Sequence, residues 1–150
     1  MPLPSDFTDL EVDEVMHSGV IDCPPQTSLH ELASMMAENS VHCIVVDGLA
    51  RGPRNVEQLV WGVITDVELM RAASTGDLDQ EVGKLAATEI ITINPHDHIQ
   101  RAAQLMGEHE CSHLIVVDPD SGRPLGVISS LDIAKGLAWG PRPLSTNPAT

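Results

Sequence analysis

Aromatic residues are almost missing from this chain: it has no tyrosine, one phenylalanine (Phe7) and two tryptophans (Trp61 and Trp139). Its core must therefore be aliphatic, and it offers no aromatic platform on which unpaired bases would stack. Basic residues are scarce too, 8 against 22 acids, which leaves a formal charge of −14. Such a surface repels phosphate backbones and anionic membranes, so nucleic acid and membrane are not expected as partners. A single small nucleotide is not excluded, because it needs only local donors. The acidic balance by itself signals solubility.

Other absences narrow the field further. No apolar run approaches the roughly 18 residues of a membrane span. The opening MPLPSDFTDLEVDEVM has neither the basic region nor the apolar run of a signal peptide. The cysteines are three (Cys23, Cys43 and Cys111) and form no CxxC pair, which fits reduced thiols and a cytoplasmic location. There is no Walker loop, GxGxxG, GxSxG or HExxH, and no motif places an acid–base pair, so an enzyme is not expected. His96-x-His98 lacks a third ligand at zinc-type spacing, and Cys111-x-His113 brackets a strand entry, so no metal site is expected either.

What the chain does have is a duplication. VDEVMHSGVIDCPPQTSLHELASMMAENSVHCIVVD at 12–47 is echoed by VGKLAATEIITINPHDHIQRAAQLMGEHECSHLIVVD at 82–118. Each copy then closes on a glycine-led segment, WGVITDVEL at 61–69 and LGVISSLDI at 125–133. Repetition of this length implies two similar units related by a pseudo-twofold axis, with a cleft between them.

Each copy reads strand–helix–strand–strand–helix with a mixed three-stranded sheet. A short strand (Val20-Ile21; Ile90 to Ile93) ends at a proline, Pro25 or Pro95. Leu29, Leu32, Ala33 and Met36, and then Ile99, Ala102, Ala103 and Met106, mark one face of a helix. Ser28 with Glu31, and Asp97 with Gln100, have capping-box spacing at the helix starts. Cys43 to Val46 and Leu114 to Val117 are apolar on both faces, as interior strands are. The following turn is compact in the second copy (Pro119 to Pro124) and longer in the first (Gly48 to Gln58). The last strands (Val60 to Ile64; Leu125 to Ile128) run into helices (Asp66 to Ala73; Ser130 to Ala138), and Trp139-Gly140-Pro141 stops the second.

The VDEVM opening, the IVVD strands and the paired Gly-apolar-apolar-[Ser/Thr]-x-x-[Asp/Glu] closings resemble a tandem pair of cystathionine-β-synthase (CBS) domains, a Bateman module. The resemblance implies an α/β (α+β) fold, two pseudo-symmetric β-α-β-β-α repeats packed through their sheets as one compact module. The expected division is an N-terminal segment 1–10, repeat 1 at 11–76, repeat 2 at 77–139 and a flexible tail at 140–150. The resemblance also implies a regulatory module that binds an adenosine ligand (AMP, ADP or ATP, with S-adenosylmethionine as a further candidate) in the cleft. It implies a homodimer too, and because no output domain is attached, a protein partner acting in trans.

The closing motif sets a hydroxyl at a strand's end and a carboxylate three residues on, in a helix's first turn. Free amides and the positive dipole end there suit a phosphate oxygen, and a carboxylate can accept both ribose hydroxyls. By resemblance, Ser129 and Asp132 in the second copy, and Thr65 and Glu68 in the first, meet phosphate and ribose. Glu68 departs from the family's usual aspartate. Base recognition by resemblance falls to Ile91, Thr92, Ser112 and His113, and to Asp22, Val41 and His42. Arg71 and Lys135 stand near enough in sequence to neutralise phosphates. The same hydroxyls and carboxylates also fit plain helix caps, and Ile91 also fits the core. Two rival readings therefore remain: a ligand-free dimerisation scaffold, and a metal or redox sensor using Cys and His.

Overall fold

A computed structural model of the chain describes residues 9–51, 58–88 and 90–143. It is mixed α/β and falls into two compact units, one formed by 20–90 and the other by 1–19 together with 91–150. The N-terminal segment 1–10, the longer first-copy turn and the tail at 140–150 lie partly outside the described residues, at 1–8, 52–57 and 144–150.

In the first of these units, β2 (Asp22–Cys23) runs parallel to β3 (Cys43–Arg51), which pairs antiparallel with β4 (Gln58–Thr65). Helices α1 (Leu29–Asn39) and α2 (Asp66–Thr75) accompany this sheet. Leu29, Leu32 and Met36 of α1 meet Ile44, Val46 and Ile64 of the sheet and Leu69 of α2 in one aliphatic core. Cys43, Ile44, Val45 and Val46 are all buried, as an interior strand requires.

The other unit repeats the plan with β5 (Thr92–Ile93), α3 (Ile99–His109), β6 (His113–Val117), β7 (Pro124–Ser129) and α4 (Ser130–Trp139). Its core joins Ile99, Ala102 and Met106 to Leu114, Val116, Ile128 and Ile133. It has a fourth strand. β1 (His17–Ser18), from the far N-terminal arm, pairs antiparallel with β7, giving the order β1-β7-β6-β5. A mixed three-stranded sheet was expected in both copies; here the arm adds an edge strand, which a two-residue apolar pattern does not announce.

The arms explain how the cores close. A 3-10 turn at Val12–Glu14 lowers Val12 and Val15 into the core of the second unit, and the matching turn at Val82–Lys84 lowers Val82 into the first. Both are held by the same backbone bonds: Val12 N to Asp97 O at 2.8 Å and Val82 N to Thr27 O at 2.8 Å. Asp13 N to Pro95 O (3.0 Å) and Gly83 N to Pro25 O (2.9 Å) form the next matching pair.

Three local expectations need correction. The first short strand lies at Asp22–Cys23, two residues later than Val20-Ile21, and the second is only the latter half of Ile90 to Ile93, at Thr92–Ile93. Ile21 and Ile91 only lend their carbonyls, to Val45 N at 2.9 Å and Ile115 N at 3.2 Å. Gly48 does not start a turn: the β3–β4 pairing shifts register between Asp47 and Leu49, with Gly48 at φ +88°, and then continues to Arg51. A bulge absorbs one extra residue there without ending the ladder. Finally, α3 begins after His98, which makes no side-chain cap bond, whereas Asp97 accepts from Asn94 N at 3.2 Å inside the preceding turn. In α1 the Ser28 half of the expected box is present, its Oγ accepting from Glu31 N at 3.1 Å.

Candidate functional site

In each unit the last strand delivers a hydroxyl to the start of a helix. Ser129 caps α4, its Oγ accepting from Asp132 N at 3.2 Å, while Asp132 Oδ2 accepts from Ser129 N at 2.9 Å. This is a complete capping box. Thr65 caps α2 differently. Its Oγ1 accepts from Val67 N at 3.2 Å and its hydroxyl donates to the Glu68 carboxylate. Glutamate's extra methylene lets the carboxylate fold back onto the cap hydroxyl.

The glycine that opens each motif is required by close approach. A Cβ at Gly126 would stand 2.2 Å from the His17 carbonyl oxygen, and one at Gly62 would stand 2.5 Å from that of Ala87. The arm passes directly over the motif in both units. In the second unit it brings His17 onto Asp132: the imidazole Nδ1 lies 3.1 Å from Oδ1 and 3.2 Å from Oδ2. Asp132 is 2% exposed whereas His17 is 60% exposed. A carboxylate offers only acceptors, so Nδ1 carries the proton in this contact. His17 is a functional candidate that the motif search missed, because its partner lies more than 100 residues away.

The remaining candidates lie on the neighbouring strands and on the two helices that the motifs cap. His113 stands opposite Ser129 in the β6–β7 register, and Ser112 O accepts from Ser130 N at 2.9 Å. Ser112 Oγ and His113 Nδ1 are 3.0 Å apart. Ile91 packs partly buried against the core, and Thr92, exposed, pairs with Ile115 on the neighbouring strand. In the other unit His42 O accepts from Asp66 N at 3.0 Å, and His42 Nδ1 lies 3.2 Å from Asp66 Oδ2. Val41 packs on the core there, and exposed Asp22 pairs with Val45. Glu68 and Arg71, with Ala72, Thr75, Gln80 and Leu85, line an open hollow of about 360 Å³. Lys135 is exposed on α4.

One other cluster forms. His96 Nδ1 lies 3.2 Å from Glu11 Oε1 and 3.9 Å from Asp13 Oδ2, so the arm supplies what the His96-x-His98 spacing lacked. Among the described residues this is the one trio whose ligand atoms come close enough for a cation. Burial, and then the Glu11 charge, raises the Asp13 carboxyl above its usual range, while His96 lowers it. With His96 71% exposed, the trio is a hydrogen-bonded clasp between the arm and the turn before α3. Among the described residues no helix is long and apolar enough to cross a membrane.

Comparison with known proteins matches this geometry. The CBS domain profile covers residues 12–75 and 82–138. The chain is 29% identical over 126 residues to the CBS domain-containing protein YhcV of Bacillus subtilis, covering 82% of each. It is 39% identical over 83 residues to an uncharacterized protein of Methanocaldococcus jannaschii, and spans only 19% of that protein's length. Among solved structures, the CBS domain protein PAE2072 from Pyrobaculum aerophilum, complexed with AMP, has TM-score 0.67 and 26% identity, over 86% of this chain and 98% of that one. The CBS domain pair of protein MJ0100, in complex with 5-methylthioadenosine and S-adenosyl-L-methionine, has TM-score 0.70 at 19% identity, over 86% and 96%. The duplicated plan, the matched arms and the two closing motifs therefore place this chain in the CBS-domain family, as a tandem pair of CBS domains.

Proposed function

We propose that this CBS pair is a non-catalytic regulatory protein that binds an adenosine nucleotide of the AMP, ADP or ATP class. The observation that carries the reading is the Ser129–Asp132 pair, where a hydroxyl and a carboxylate converge at the positive end of α4. The relative complexed with AMP supports the ligand class. In this reading Ser129 meets phosphate, Asp132 meets ribose, and Ile91, Thr92, Ser112 and His113 surround the base. Thr65 and Glu68, with Asp22, Val41 and His42, form the weaker counterpart, because glutamate stands there in place of the usual aspartate. S-adenosylmethionine is the alternative ligand. The ligand state would act on a protein partner in trans, and three free thiols fit a reducing cytoplasm.

Leu131 (60% exposed) and Trp139 (78%) on α4, and Met70 (59%) on α2, are apolar surfaces that support a homodimer. They also favour the rival reading, a dimerisation scaffold in which Ser129 and Asp132 only cap a helix.

Thermal denaturation with AMP, ADP, ATP or S-adenosylmethionine separates the two. A nucleotide at 100 times its Kd adds about 2.7 kcal/mol to stability. Asp132→Asn keeps a cap acceptor but loses bidentate ribose contact, so the gain should fall away in that variant. No response to any of the four leaves the scaffold reading standing and this one refuted.

A further inference from the structure

The buried ribose carboxylate is already in use. Asp132 accepts from Ser129 N on one side, and on the other a single imidazole N–H bridges both of its oxygens, at 3.1 and 3.2 Å. Two vicinal ribose hydroxyls would present one donor to each of those oxygens, so the ring nitrogen stands where the diol would stand. His17 is not itself buried. It sits on a two-residue edge strand, 60% exposed, and can leave by a side-chain rotation.

The matching arm position of the other unit carries no such group. The arm position facing Val63 there is Ala87, just as His17 faces Val127, and a methyl group cannot bond a carboxylate. The two motifs therefore differ in what guards them, although the backbone around them is the same.

We propose that His17 is a competing internal ligand for Asp132, which a nucleotide's ribose must displace to occupy the second-repeat site. The proposal rests on the nucleotide-binding reading above and adds a specificity residue to it. Because the imidazole offers one donor where a cis-diol offers two, an intact ribose displaces it and a deoxygenated sugar does not. His17 is thus a positioning and selectivity residue, and it sets the affinity of this site independently of the other.

Calorimetric titration of the full chain with AMP and with 2′,3′-dideoxy-AMP tests this. His17→Ala should bind AMP about three- to tenfold tighter, the worth of one hydrogen bond to a charged group at a half-exposed site. The same variant should bind the dideoxy analogue no better than wild type does. Alanine already occupies the matching arm position at Ala87, so the strand tolerates it. His17→Asn, whose amide nitrogen replaces Nδ1, should behave as wild type. Unchanged or weaker AMP binding by His17→Ala, with wild-type binding intact, overturns the competition and leaves the nucleotide-binding reading in place. An equal gain for AMP and the dideoxy analogue also overturns it, since Asp132 would then not be the contested group. No AMP binding by wild type or by His17→Ala overturns both.

Discussion

Gly126→Ala tests the packing of the arm in the most direct way. The added Cβ would lie 2.2 Å from the His17 carbonyl oxygen, 3.2 Å from its carbon and 3.4 Å from Met16 Sδ. Relief needs β1 to retreat by about 1 Å, because an ordinary carbon–oxygen contact is about 3.2 Å or more. That strand is pinned. Gly19 N bonds Leu125 O at 2.7 Å, Arg142 N bonds Glu14 O at 2.8 Å, and the Arg142 guanidinium bonds Met16 O at 3.1 Å. Overpacking of this kind costs about 1–3 kcal/mol, and each stretched hydrogen bond adds about 1 kcal/mol. Together these give a loss of about 2–4 kcal/mol, or roughly 5–15 °C in Tm for a chain of this size.

Gly107→Ala is the matched control. Gly107 lies inside α3, where a Cβ meets nothing within 4 Å, so alanine should stabilise by about 0.5–1 kcal/mol. Urea denaturation of both variants reads the difference through the midpoint. If Gly126→Ala stays within about 0.5 kcal/mol of wild type, the arm does not lie where it is described. If both variants fall equally, alanine is being penalised for reasons unrelated to space.

Burial, then the charges of Glu68 and Asp66, pushes the Cys43 thiol up to about 12, from an ordinary 9.0. Native Cys43 should therefore resist alkylation at pH 8, whereas half-buried Cys111 reacts, as mass mapping of the labelled thiols would reveal. Its sign follows from the same shift. The fold favours the protonated thiol, so the Cys43 contribution is intact below pH 9.0 and fades as pH rises toward 12, which alkaline denaturation of Cys43→Ala against wild type would trace. Ser129→Ala removes the hydroxyl of a complete capping box and should lose about 1 kcal/mol in urea denaturation without any ligand present.

Much of the fold could be read in the sequence because it rests on local periodicity. Leu29, Leu32 and Met36, and Ile99, Ala102 and Met106, sit on the buried faces of their helices because a 3.6-residue repeat leaves few alternatives. The candidate site was half legible. Ser129 and Asp132 share one helix turn, so spacing alone relates them. His17 and the Glu11–Asp13–His96 clasp depend on pairings over 80 to 115 residues, and no short-range pattern encodes those. The four-stranded sheet was hidden for the same reason, since β1 is only two residues long and both are exposed.

The arm also explains why the duplication is not a simple succession of two beads. Within 20–90 the order is strand, helix, two strands, helix, then arm, with Val82 closing the core that precedes it. The second unit has the same order only if the chain's beginning counts as its end. There Val12 and Val15 take the place that Val82 holds in the first, and Arg142, just past α4, bonds Glu14 O and Met16 O and so ties the end of α4 to the arm. The first repeat can therefore complete its core from its own neighbouring sequence. The second must wait for a segment separated from it by the whole of the first, and forming that contact closes a far longer loop. His17 rides on that late-closing segment. The Ser129–Asp132 box, like Thr65 and Glu68, is complete within one turn of helix, but its carboxylate is covered only when the N-terminal arm docks. A displaceable group on a long-range arm can make one of two homologous motifs conditional while the other stays local.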